Sequence, residues 1–135
     1  MIRAVLDTNV FVSAYLLPVR LNHLPVLFVE KRFVWLISQE IFQEYMGVAL
    51  RPYYKIFPEQ IELLSYQLKE RTEWVEVHTR LQIIPEDPTD DKFIACAVDG
   101  RAGCIVTGDR HLSRLGAFRG IRILSPEEFL KTLHA

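Results

Sequence analysis

The sequence predicts an α/β fold, a three-layer α/β/α sandwich with a mostly parallel central sheet. Two observations carry this. Four short, continuous apolar runs, "IRAVLD" (2–7), "FVWLIS" (33–38), "GCIVTG" (103–108) and "IRIL" (121–124), have the composition of strands covered on both faces. The segments between them are patterned as helices, and strands alternating with helices form parallel sheets with helices on both sides. The chain has 135 residues and no internal repeat, low-complexity tract or Ser/Gly linker, so one domain over 1–135 is expected.

The elements follow in order. After the first strand, residues 9–17 are apolar and follow Asn9, reading as a helix. Residues 24–31 form a second helical pattern, with Pro25 near its start, where the missing N–H costs little. Behind the second strand, residues 39–50 place Ile41, Phe42, Tyr45, Met46 and Ala49 on one face. Pro58 opens "PEQIELLSYQLKERTE", in which Ile61, Leu64 and Leu68 recur at helical spacing. "WVEVH" (74–78) alternates like a short strand, and "DDKFIACAV" starts a helix at Asp90-Asp91. "RHLSRL" follows the third strand as a helix. The last helix has Ser125 as N-cap, Pro126 at its first position and Glu128 closing a capping box.

Composition narrows the function classes. Half the residues are hydrophobic and the net charge is −1, which argues against gripping nucleic acid by bulk electrostatics. The charges are uneven, however. Residues 59–91 are rich in acids, whereas 101–122 carry Arg101, Arg110, Arg114, Arg119 and Arg122, a candidate strip for a phosphate backbone. Cys96 and Cys104 sit in apolar settings without metal spacing and read as core residues of a reducing compartment. No apolar run reaches the roughly 18–20 residues of a membrane span, and the start lacks signal-peptide features, so no membrane association and a cytoplasmic location are expected.

The acids are the informative residues. "IPEDPTDDKFIACA" (84–97) sets Glu86, Asp87, Asp90 and Asp91 directly before an apolar helix. Acids suit a first helical turn, but one of them can equally face a cation. Asp7 stands at the carboxyl end of the first strand and Asp109 just past the third. Glu44 lies about two turns into the helix behind the second strand, and Asp91 at the start of the helix before the third. Each has a plainer explanation: Asp7 and Asp109 as helix caps, Glu44 as a surface residue, Asp91 as a first-turn acid. Their conjunction at one sheet edge favours a site, because ligands of such folds bind beyond the carboxyl ends of the strands. Carboxylates that converge without basic partners call for a cation, and hard divalent ions such as Mg²⁺ or Mn²⁺ take oxygen ligands. No zinc site competes, since His23, His78, His111 and His134 lack metal spacing.

"AVLDTNVFVSA", the internal Glu44, "DDKFIACAV" and "IVTGDRHLSRLG…ILSPEEFL" resemble the PIN-domain family, closest to its compact VapC-like toxins of bacterial and archaeal toxin–antitoxin pairs. The resemblance spans nearly the whole chain. It implies a helix-sandwiched parallel sheet, cleavage of RNA by a ribonuclease using one or two Mg²⁺ or Mn²⁺ ions, and an antitoxin protein as partner. Its catalytic and metal-holding acids fall on Asp7, Glu44, Asp91 and Asp109, with Asn9, Asp90 and Thr107 in supporting positions. RNA contacts are expected from Arg51 and Lys55 in "LRPYYK", where Tyr53 or Tyr54 can stack on a base, and from Arg110, His111 and Arg114. Apolar residues on helices 24–31 and 58–70 offer a face for a homodimer. Two other classes stay open. One is a non-catalytic scaffold of the same fold, although no acid looks lost. The other is a haloacid-dehalogenase-like phosphotransferase, whose second aspartate would stand where this chain has Asn9. A phosphoacceptor receiver matches the acid pattern poorly.

Overall fold

The computed structural model describes residues 1–17, 23–79 and 91–134. Its sheet has strands β1 (Arg3–Leu6), β2 (Val34–Ile37), β3 (Glu73–Trp74), β4 (Cys104–Val106), β5 (Ala117–Phe118) and β6 (Ile121–Leu124), in the order β3-β2-β1-β4-β6-β5. All neighbours are parallel except β5 against β6. Ala4 is in register with Trp35 on one side and Cys104 on the other, and Ile105 with Ile123. The central strands read as unbroken apolar runs because helices cover both faces: Ala4, Val5, Leu6, Leu36, Ile37, Ile105 and Val106 are all fully buried.

From β1 the chain moves outward through β2 to β3, then returns to the other side of β1 with β4. The strand order therefore reverses between β1 and β4, and a crevice is expected beyond their carboxyl ends. The ladder continues one residue past each strand there, with Asp7 N donating to Val106 O at 3.0 Å and Thr107 N to Leu124 O at 2.9 Å.

The helices are α1 (Thr8–Phe11), α2 (His23–Val29), α3 (Gln39–Ala49), α4 (Pro58–Arg71), α5 (Asp91–Asp99), α6 (Arg110–Ser113) and α7 (Pro126–His134). The capping box on α7 is present in both directions, Ser125 N to Glu128 Oε1 at 2.9 Å and Glu128 N to Ser125 Oγ at 3.1 Å. The helix expected over 9–17 starts one residue earlier and changes character: α1 gives way to a π-helical stretch over Val12–Leu16, closed by Leu17 N on Val12 O at 3.1 Å.

Two expectations are corrected, and one strand is added. The strand expected over 74–78 is only Glu73–Trp74. Beyond it the Asp99 carboxylate takes the backbone N–H groups of His78 (2.6 Å) and Thr79 (2.9 Å) in place of a strand partner. The antiparallel edge strand β5 was not foreseen, because two residues are too few to show alternation. The arginine strip is not continuous in space. Arg101 and Arg119 lie at the amino edge of the sheet, both lining one cavity, while Arg110 follows β4 at the carboxyl edge. Glu86, Asp87 and Asp90 lie outside the described residues. Cys96 and Cys104 are free and buried, and burial pushes their thiols up to about 12 and about 11. Among the described residues, no helix is long and apolar enough to cross a membrane.

Candidate active site

Asp7 is positioned by the end of β1 and the start of α1. It is only 4% exposed. Its Oδ1 caps α1 by accepting from Val10 N at 2.8 Å, and its Oδ2 accepts from the buried Thr107 hydroxyl at the end of β4. The same hydroxyl accepts from Asp109 N at 2.9 Å, so Thr107 links the two strand-end acids. Tyr45 fixes this corner from behind. Its ring stacks on Phe11 with centroids 4.2 Å apart, and its hydroxyl donates to the carbonyl of Leu6, the residue before Asp7. Burial holds the Asp7 carboxyl above its ordinary pKa. The bonds from Thr107 and Val10 oppose that shift, and the negative charges of Asp109 and Glu44 add to it.

Glu44 reaches the same place from α3. One of its oxygens accepts from the Thr8 hydroxyl, and the other pairs with the Lys92 ammonium from α5. Asp109 caps α6 through Oδ1, which accepts from His111 N at 2.7 Å. The His111 ring nitrogen Nδ1 stands 3.6 Å from that oxygen, too far for a hydrogen bond, and is buried without a hydrogen-bond partner among the described residues.

Asp7, Glu44 and Asp109 line one cavity of about 320 Å³, together with Thr8, Asn9, Val12, Val48, Arg51, Tyr54 and Phe93. Three acids from three separate elements thus meet beyond the carboxyl ends of β1 and β4. Asp91 does not line this cavity. It is buried at the start of α5, and Phe93, two residues on, takes the lining position. Arg51 and Tyr54 bring the "LRPYYK" segment to the rim as a turn of 3₁₀ helix (Pro52–Tyr54). Lys55 ends that turn, exposed and in the left-handed region at φ 53°. Arg110 and Arg114 are exposed on and just after α6. Two residues that sequence reasoning did not single out matter here. Lys92 was hidden beside the more conspicuous Asp91, and Tyr45 looked like an ordinary residue of the apolar face of α3.

Among the described residues, no three acids, histidines or cysteines stand in ligating arrangement around a single point. The reason is visible in the bonds: Glu44 is drawn to Lys92 and Thr8, while Asp7 and Asp109 cap helices. A carboxylate offers about four acceptor positions, so these bonds leave capacity for a cation. The donor set is all oxygen, and three carboxylates share its cavity. Both properties suit a hard divalent ion.

The match to known families follows this geometry. A model of the PIN domain matches residues 3–111. The chain belongs to the PIN-domain family. PIN domains are generally nucleases and typically use divalent metal ions. Among solved structures, this PIN domain is similar to FitAcB from Neisseria gonorrhoeae, with a TM-score of 0.52 at 14% identity over 92% of this chain and 98% of that one. At that identity the likeness concerns the fold. No curated protein matches the chain.

Proposed function

We propose that this PIN domain is a metal-dependent endoribonuclease and the toxin half of a toxin–antitoxin pair. The observation that carries the nuclease reading is the shared cavity of Asp7, Glu44 and Asp109 at the reversal point of the sheet. Asp7, Glu44 and Asp109 would hold one or two Mg²⁺ or Mn²⁺ ions; Asp91, the fourth acid of the family pattern, is buried at the start of α5 outside this lining. A bound ion would supply the Lewis acidity that activates water and neutralises the phosphodiester.

The chain's own residues have separate tasks. Thr107 holds Asp7 and the Asp109 backbone in fixed relation, and Asn9 presents a polar side chain at the cavity wall. Arg51 on the rim meets the RNA backbone, with Tyr54 beside it for stacking. Arg110, His111 and Arg114 continue the contact along α6, and Lys55 does so beyond the turn. No side chain acts as nucleophile. Exposed Val26 and Val29 on α2 and Leu63 and Tyr66 on α4 are the apolar surface offered to the antitoxin or to a second copy.

Purified protein should cut RNA with Mn²⁺ and not with EDTA, and Asp7→Asn should abolish the cutting, because an amide is a poor ligand for a hard cation. Equal cleavage by the Asn variant would refute the assignment. The protein should also co-purify with the product of the adjacent reading frame. One observation favours a non-catalytic scaffold instead: the acids are occupied as caps and by Lys92. Such a scaffold would show no Mn²⁺-dependent rise in melting temperature.

A further inference from the structure

Among the described residues, Glu44 alone of the three cavity acids has a lysine as counter-ion. The Lys92 ammonium pairs with Glu44 Oε1 across the α3–α5 contact, with side chains only 18% and 29% exposed. Lys92 is the second residue of α5, and its ammonium lies 5.9 Å from the ring centre of Phe93, which lines the cavity. The other Glu44 oxygen is taken by Thr8. Both oxygens are thus occupied, one of them by a unit positive charge.

We infer that Lys92 is a placeholder cation: it holds Glu44 in the metal-free protein and competes with a divalent ion for that carboxylate. The inference rests on the proposed metal site and adds to it a residue that sets how much metal is needed to fill it. A partly shielded carboxylate gains from a counter-ion, and three acids around one cavity repel. A lysine suits the part, because its charge is compact and its four-carbon stem is flexible enough to withdraw. An arginine would hold both carboxylate oxygens in a planar fork and yield less readily. Lys92 acts through Glu44 and is a positioning residue.

The experiment is calorimetric titration of MnCl₂ into the metal-free protein, with no RNA present. Lys92→Met should bind Mn²⁺ about tenfold more tightly than wild type, the scale expected for loss of a partly buried competing pair. Lys92→Arg should bind equally or more weakly. Arg51→Met removes a cation that lines the same cavity without pairing with Glu44, and should change the affinity several-fold less than Lys92→Met. In a Glu44→Gln background the gain from Lys92→Met should vanish, and this cycle, repeated with Lys92→Gln, holds even if one variant is less stable. Wild-type binding with no gain in Lys92→Met, or an equal gain in Arg51→Met, would overturn the placeholder and leave the metal site standing. Absence of binding in both wild type and Lys92→Met would overturn both. Binding that emerges only in Lys92→Met would support the placeholder in its strongest form.

Discussion

Asp7→Asn in the metal-free protein separates a buried, charge-strained acid from a simple helix cap. Two opposing effects set its size. The Thr107 hydroxyl donates to an ionised carboxylate, a bond worth about 1.5–3 kcal/mol; in the variant the amide nitrogen takes that position and donates to the hydroxyl instead, a neutral bond worth about 1 kcal/mol. The bond from Val10 N survives, because Asn offers the same capping oxygen. Against this loss, the variant removes a carboxylate that is 4% exposed and repelled by Asp109 and Glu44. At an effective dielectric near 20, a unit charge about 8 Å away costs about 2 kcal/mol before solvent screening. Glu44 is largely neutralised by Lys92, so Asp109 supplies most of that term. The two effects nearly cancel, and the variant should unfold within about 1 kcal/mol of wild type at neutral pH.

The pH dependence gives the sign. The folded pKa of Asp7 is raised above its ordinary value, chiefly by burial, so the folded state binds the proton more tightly than the unfolded state. Wild type therefore gains stability relative to Asp7→Asn as pH falls through the folded pKa towards 3.8, and carries the full cost of the charge above it. Urea unfolding of both proteins in EDTA, at steps from pH 8 to pH 4, measures this difference. Parallel stability curves, with the variant more than about 3 kcal/mol weaker throughout, would show that Asp7 is only a cap and refute the reasoning.

Other consequences are equally open to measurement. Tyr45→Phe leaves the Leu6 carbonyl without its donor and should cost about 1–2 kcal/mol in urea unfolding, with Mn²⁺ affinity falling because the strand end before Asp7 loosens; unchanged stability would show that the bond is idle. A Cβ at Gly100 would stand 2.8 Å from a methyl of Val75 and 2.9 Å from the Cys96 carbonyl, so Gly100→Ala should lose about 1–3 kcal/mol by the same assay, and a neutral outcome would mean that the segment after β3 yields against the end of α5. Arg51→Ala should weaken binding of a short RNA and lower its salt slope by about one, as expected for loss of one phosphate contact, and an unchanged slope would move the RNA path towards α6.

Elements long enough to carry a period were legible in the sequence. The four apolar runs became β1, β2, β4 and β6, the helical pattern over 39–50 became α3, and α4 starts at Pro58 as its proline indicates. The two-residue strands β3 and β5 have no period to read, and the π-helical stretch after α1 has the same apolar spacing as an α-helix at this length. Within the site, Asp7 and Asp109 were visible because Asp7 follows β1 directly and Asp109 stands three residues past the end of β4, where the chain has little freedom to carry them elsewhere. Asp91 sits at a helix start, and whether it lines the cavity depends on how that helix is set against the sheet, which no local pattern encodes. Lys92 was obscured for a related reason: its partner Glu44 is 48 residues away, and only the packing of α5 on α3 joins them. The five arginines of 101–122 looked like one strip, yet β4 runs between Arg101 and Arg110 and sends them to opposite edges of the sheet.

The central claim is that Asp7, Glu44 and Asp109 jointly hold a divalent ion. Crystals grown with MnCl₂, with anomalous scattering recorded at the manganese edge, test it most directly. A peak is expected in the cavity between β1 and β4, with oxygens of Asp7, Glu44 and Asp109 about 2.1 Å away and the Lys92 ammonium withdrawn from Glu44. Manganese bound only elsewhere, with Glu44 still paired to Lys92, would contradict it.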